Sequence, residues 1–341
     1  MSRVLQLLSN DVPGGVPVLA EMVAAGLRAR GHAVETLALR ADPGLVLRHI
    51  LTGRYDAVLS YQVAAGVVGG LLGRLVGVPA RVAQITAIPS AMQPHWRLLD
   101  RWWGQWGLNG AIVANSEATA ASVACYPQAY RMRLQLVPHG VEPLPQGRPA
   151  GWRARLGIQQ TAPLLVSAGR LAAQKNQALL VSALADLPDT HLVIAGDGPL
   201  RIPLLQQAAQ RGVSERLHLP GNLDRDDLAS LFAEANIFVF PSTWESFGLV
   251  AVEAGMAGLP VVAADLPVLR EVLAPAAPAG TIAFHPPGDA GALAGAVRFM
   301  LADYPSPASR ADAATCLRDT YAVERMIDDY CRLLAIAPAS N

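Results

Sequence analysis

Lysine is almost absent from this chain. Of 27 basic residues, 26 are arginine and one, Lys175, is lysine. Charge is scarce as well, at 16% of residues, and the formal net charge is zero. No basic excess exists to build the stripe that nucleic-acid binding requires, so that class is excluded. Cysteine is limited to Cys125, Cys316 and Cys331, an odd number with no Cys-x-x-Cys spacing. A disulfide framework is therefore excluded, and a reduced, cytosolic setting is expected. Membrane spans are missing too. The uncharged run at residues 57–73 is at the lower length limit for one, but it contains Ser60, Gln62, Gly66, Gly69 and Gly70. It reads as a buried strand at 57–60 followed by a buried helix. The opening Met1-Ser2-Arg3 and residues 4–8 are too short for a signal peptide and read as a first strand.

What the chain has is hydrophobic residue, 52% of 341 positions, enough for a large core. Short apolar runs alternate with longer helical patterns. In the first half, strands are expected at 4–8, 33–39, 57–60, 81–86, 111–114 and 134–137. A stretch dense in Pro and Gly at 138–163 interrupts the rhythm. It resumes with strands at 164–168, 191–195, 217–219, 237–240, 260–263 and 281–284. The alternation predicts an α/β protein with two doubly wound, Rossmann-like parallel sheets. The expected boundaries are a domain at 1–145, a linker at 146–162, a second domain at 163–320, and a terminal helix and tail at 321–341 that returns to the first domain. In such sheets ligands sit beyond the carboxyl ends of the strands, so motifs that follow strands matter most.

Four such motifs stand out. Asn10-Asp11-Val12-Pro13-Gly14-Gly15 follows the first strand and permits close backbone approach, or forms a plain turn. Gly169-Arg170, with Lys175 five residues on, places two cations at a turn entering a helix. An Arg fork and a Lys point charge suit a diphosphate; a solvated helix start is the plainer reading. Gly196-Asp197-Gly198-Pro199 makes a tight turn that serves a ligand or only the turn itself. The strongest segment runs from Phe240-Pro241-Ser242 through Glu245 and Ser246-Phe247-Gly248-Leu249 to Glu253. Glu245 falls in a loop and Glu253 about two turns into the next helix. Carboxylates there suit vicinal hydroxyls, and the helix start offers amides to an anion.

With Val137-Pro138-His139-Gly140-Val141-Glu142 and Arg270-Glu271-Val272 added, the chain resembles the retaining GT-B glycosyltransferases of family 4. The match is dense over 137–273 and looser before. The resemblance implies two domains facing across a cleft, with the acceptor on the first and a nucleoside diphosphate sugar on the second. It implies that Arg170 and Lys175 hold the diphosphate, that Glu245 meets the transferred sugar, and that Glu253 meets the ribose. Gly169, Gly198, Ser246, Phe247, Gly248 and Leu249 would line the donor, with Gly14 and Gly15 approaching from the first domain. Polysaccharide or glycolipid assembly is the implied setting. A nucleotide-sugar-binding or regulatory protein with weak turnover is the alternative. No metal or other cofactor is expected. Asp224-Arg225-Asp226 has the Asp-x-Asp form but opens a helix and reads as its cap.

One feature departs from the family pattern, and a second is unusual in itself. Many members carry a His after the fourth strand; here Thr86 occupies that place, and His95 is the nearest histidine on the acceptor side. Residues 96–106 also hold four of the six tryptophans, Trp96, Trp102, Trp103 and Trp106. Leu99, Trp102, Trp103 and Trp106 share one helical face. That stripe reads first as core. With Arg97 and Arg101 beside it, a peripheral membrane surface or a lipid-linked acceptor is the other reading.

Overall fold

The computed structural model describes residues 1–10 and 14–335. Asp11, Val12 and Pro13 of the first glycine loop, and 336–341 of the tail, lie outside the described residues. The chain divides into two compact units, Met1–Gly140 with the segment from Tyr321 onward, and Val141–Thr320.

The first unit carries β1 (Arg3–Leu8), α1 (Gly15–Ala29), β2 (Ala33–Ala38), α2 (Pro43–Thr52), β3 (Ala57–Tyr61), α3 (Val63–Leu75) and β4 (Ala80–Gln84). It continues with α4 (Pro94–Gln105), β5 (Ala111–Ala114), α5 (Glu117–Ser122), α6 (Gln128–Arg131) and β6 (Leu134–Leu136). Its parallel strands lie in the order β2-β1-β3-β4-β5-β6. Alternation along β1 sends Val4 and Leu8 into one core layer and Leu5 and Leu7 into the other. The glycines of the 57–73 run explain themselves in α3. A Cβ at Gly69 would strike Ser60 Oγ, and one at Gly70 would meet the Asn109 side chain at 2.8 Å. The helix lies close on its sheet because those positions are bare. No helix among the described residues is long and apolar enough to cross a membrane.

The second unit holds α7 (Trp152–Arg155), β7 (Leu164–Ala168), α8 (Gln177–Leu184), β8 (His191–Ala195), α9 (Arg201–Gln210), β9 (Leu217–Gly221) and α10 (Arg225–Glu234). β10 (Ile237–Phe240), α11 (Leu249–Met256), β11 (Val261–Ala264), α12 (Pro267–Leu273), β12 (Ile282–His285), α13 (Ala290–Ala302) and α14 (Pro307–Thr320) complete it. The order is β12-β11-β10-β7-β8-β9, all parallel. Chain progression reverses between β7 and β10, which makes their loops the switch point of a doubly wound sheet.

Residues 146–162, expected as a linker, pack into this second unit. The Glu234 carboxylate accepts the amides of Trp152 and Arg153, each at 2.9 Å. The buried Arg153 guanidinium donates to the carbonyls of Gln159, Ala162 and Glu234 and to the Asn236 side chain. Proline and glycine content marks a linker; the buried arginine that anchors it to the second unit gives no sequence signal. The last helix, α15 (Val323–Leu333), belongs to the first unit, where Met326, Ile327 and Tyr330 join the core. Gly140 of the hinge-like motif lies under it: a Cβ there would meet Val323 Cα at 2.6 Å.

Candidate active site

The switch point of the second unit is where the sequence motifs meet. β7 ends at Ala168 and the chain turns at Gly169, whose φ of 140° suits glycine. The Gly169 amide bonds the Ala195 carbonyl at 2.9 Å, and the Leu171 amide bonds the Asp197 carbonyl at 3.0 Å. A Cβ at Gly196 would collide with the Gly169 carbonyl oxygen, and one at Gly198 with Leu171. The Gly-Asp-Gly-Pro turn therefore acts as a backbone buttress for the 169–171 loop. For Gly198 the visible demand is packing.

A short turn, Ala173–Lys175, then brings the chain to the β10 loop. The Thr243 amide donates to the Gln174 carbonyl at 2.8 Å, and the Gln174 side chain donates to the Trp244 carbonyl at 3.0 Å. These bonds lock the two loops together. Between them Lys175 Nζ lies 2.6 Å from Glu245 Oε1, and 4.8 Å from the centre of the Phe240 ring. Glu245 is only 7% exposed. An ion pair this enclosed fixes both side chains, since separating them would strand a buried charge. Phe240, the last residue of β10, holds the ammonium by its ring face.

Arg170 stands apart. It is exposed, and its guanidinium has no partner among the described residues; only its carbonyl is held, by Gln177 Nε2 at 2.9 Å. One of the two expected cations is thus clamped and the other is loose.

Past Glu245, Phe247 is buried and Gly248 takes a left-handed φ of 94° as α11 begins at Leu249. Glu253 is the fifth residue of α11, a little more than one turn in, where two were expected. Its burial pushes the carboxyl up to about 7, against the pull of Arg225 Nη1 at 3.4 Å. The same guanidinium donates to the carbonyls of Glu142 and Pro143 at 3.0 Å each. Arg225 had no sequence signal beyond its place between two aspartates. Asp224 caps α10 as expected, accepting the Asp227 amide at 2.8 Å.

In the first unit, Gly14 and Gly15 are exposed at the start of α1. Thr86 lines a pocket beneath α4, whereas His95 is exposed at the helix start with its ring 5.2 Å from that of Trp96. His139 is buried, with Nε2 3.0 Å from the Asn115 amide nitrogen, and burial drives its pKa down to about 3. The tryptophan stripe of α4 is not core within this unit. Trp102 and Trp106 are 46% and 59% exposed, while the side facing inward is Asp100, Trp103 and Gly104. Helical spacing put Trp102, Trp103 and Trp106 on one face; the structure turns Trp102 and Trp106 outward and Trp103 inward. A Cβ at Gly104 would run into the Tyr130 ring, so the bare glycine sets which side packs.

Two doubly wound parallel sheets, with an enclosed Lys–Glu pair at a switch point, define a GT-B type α/β protein. Solved structures agree on the fold. Anabaena HepE, in complex with UDP and glucose, superposes with a TM-score of 0.84 at 20% identity over 98% of this chain and 100% of that one. Sucrose-phosphate synthase from Thermosynechococcus elongatus gives 0.80 at 20% identity over 98% of each chain. Residues 150–315 match the family model of glycosyl transferases group 1. Among curated relatives, the D-inositol 3-phosphate glycosyltransferase of Mycolicibacterium vanbaalenii is 30% identical over 83% of this chain and 68% of its own. The 2-deoxystreptamine glucosyltransferase of Streptomyces kanamyceticus is 31% identical over 79% and 70%. The chain belongs to this glycosyltransferase family.

Proposed function

We propose that the protein is a retaining glycosyltransferase that moves a sugar from a nucleoside diphosphate sugar to an acceptor hydroxyl. The observation that carries this reading is the Lys175–Glu245 pair, enclosed at the switch point with Glu253 one turn into the following helix. The bond from the anomeric carbon to the diphosphate oxygen breaks, and its electron pair leaves with the diphosphate. A bond from the acceptor oxygen to the anomeric carbon forms on the same face. The acceptor proton passes to the departing phosphate oxygen, so no protein base is needed and Thr86 can stand where relatives carry a histidine.

Lys175 and Arg170 stabilise the leaving diphosphate, the charge that grows as the bond breaks. Lys175 is preorganised by Glu245 and Phe240, whereas Arg170 is free to close on a bound phosphate. Glu245 accepts from hydroxyls of the transferred sugar and Glu253 from the ribose. With two cations on the phosphates, the reaction proceeds without a metal. In cells the enzyme builds a polysaccharide or glycolipid from the cytoplasmic side. The outward Leu98, Trp102 and Trp106, with exposed Arg97 and Arg101, favour peripheral contact with an anionic membrane.

A thermal-shift panel of UDP-, GDP- and ADP-sugars tests the donor. At 100 Kd a ligand adds about 2.7 kcal/mol, so one nucleotide class raises the melting temperature clearly. No shift with any of them removes the reading. Cosedimentation with phosphatidylglycerol vesicles, lost in Trp102→Ala/Trp106→Ala, tests the membrane contact; equal binding by wild type and variant contradicts it.

A further inference from the structure

Glu253 stands where a carboxylate is hard to keep. Its neighbours on α11, Val252 and Ala254, are both buried, and its own side chain is 18% exposed. Burial favours the protonated acid and pushes the carboxyl up to about 7. A hydrogen bond to a carboxylate is roughly twice as strong as one to a neutral acceptor, so a protonated Glu253 holds a hydroxyl less well. Arg225 opposes that loss. It is the first residue of α10, and its guanidinium spans three acceptors. Nη1 reaches Glu253 Oε1 at 3.4 Å, while Nη2 donates to the carbonyls of Glu142 and Pro143 at 3.0 Å each. The two carbonyls fix the planar fork, so its charge stands beside Glu253 before any ligand arrives. Glu253 Oε2 has no partner among the described residues, which leaves it to accept from a ligand.

The other charges nearby do not do this work. The exposed Glu142 carboxyl, 3.7 Å from Arg225 Nη2, acts on Glu253 with the same sign and raises it further. Of the elements packed against α11, β10 and β11 carry no charged residue. On α12, Arg270 is paired with Asp265. On α14, Arg318 donates to the Met256 carbonyl at the far end of α11. Asp224 accepts the Asp227 amide, and Lys175 is held by Glu245. None of these groups shifts the Glu253 carboxyl, nor do Glu271 of α12 and Asp312 and Asp319 of α14. Arg225 is the one cation that does.

We propose that Arg225 is a positioning residue for the donor ribose: it keeps Glu253 ionised, with one carboxylate oxygen engaged and the other open to the hydroxyls. This role rests on the donor reading above, in which Glu253 meets the ribose. Calorimetry from pH 6 to 9 on wild type and Arg225→Gln tests it, with the nucleoside diphosphate selected by the panel and its 2′-deoxy form. The ratio of the two affinities cancels the titration of the phosphates and reads the Glu253 contact. Glutamine keeps a donor for the carbonyls and removes the charge. Wild type is expected to favour the ribose form about 10-fold at pH 8.5 and to lose that preference as pH falls through about 7. Without the cation Glu253 holds its proton to higher pH, so in Arg225→Gln the midpoint rises by about one pH unit and the preference returns at pH 9. A midpoint that does not move, with the wild-type preference intact, overturns this role and leaves the donor reading standing. A parallel loss of both affinities without a shift marks a purely structural arginine and also overturns it. So does a preference that pH 9 fails to restore, since Arg225 would then touch the ribose itself. Should Arg225→Gln not fold, Arg225→Lys is read instead. Its ammonium cannot span all three acceptors, so the midpoint again rises, and a wild-type midpoint overturns the role. A wild type with no ribose preference at any pH removes both this role and the Glu253 contact beneath it.

Discussion

The two units use their loops differently. In the second, the loops after β7 and β10 are bonded to each other through Gln174, Thr243 and Trp244, and they enclose a charged pair. In the first, Gln62 and Gln84, at the ends of β3 and β4, and Trp103 and Asn109 nearby each carry a buried polar atom with no partner among the described residues. The difference lies in where partners come from: the second unit's loops meet each other's polar groups, whereas these groups of the first unit are left unmet by its own chain.

The largest test of that contrast is Lys175→Ala. Removing a preorganised cation from a leaving group costs about 10²–10³-fold in kcat, read by product formation at saturating donor. An unchanged kcat would show that the pair is structural and that the lysine does not meet the leaving group.

Next comes Gly196→Ala. The added methyl meets the Gly169 carbonyl at a backbone φ of 139°, so the second unit should lose about 2–4 kcal/mol in urea unfolding. A neutral result would return the Gly-Asp-Gly turn to a ligand-binding role.

Smaller again is the pH dependence of Glu253. Its folded pKa of about 7 lies above the ordinary 4.5, so the folded state keeps a proton that the unfolded state releases. Stability from this group is therefore present below about pH 4.5 and declines as pH rises to 7. Glu253→Gln should be more stable than wild type at pH 8, by on the order of 1–3 kcal/mol, and equal to it at pH 4. The same variant should bind nucleotide less well. A variant less stable at pH 8 would show that Arg225 compensates the carboxylate fully.

Much of this architecture was legible in the sequence. All twelve expected strands form, four with the expected ends and eight with an end moved by one or two residues, because a buried parallel strand is a short apolar run bounded by turn residues. Gly169, Lys175, Glu245 and Glu253 stand out as candidates because turns and isolated charges after strands are visible one residue at a time. What stayed hidden depends on partners distant in sequence. Phe240 reads as strand core and gives no hint that it holds an ammonium. Arg225 reads as a helix-start charge, though it reaches Glu253 and two carbonyls. Arg153 is one arginine among 26, and only its burial shows that it anchors residues 146–162 to the second unit. The α4 spacing left core and surface open, since spacing defines a face without saying what lies opposite; Trp103 turns inward, Trp102 and Trp106 outward.

The central claim is that Lys175, fixed by Glu245 and Phe240, meets the donor diphosphate. Its most direct measurement is calorimetric titration of wild type and Lys175→Ala with the nucleoside diphosphate selected by the panel and with the matching nucleoside. At least a 10-fold weaker Kd for the diphosphate is expected in the variant, about 1.4 kcal/mol, with nucleoside binding unchanged. Equal diphosphate affinity in the two proteins would contradict it and leave the single lysine as an ordinary partner of Glu245.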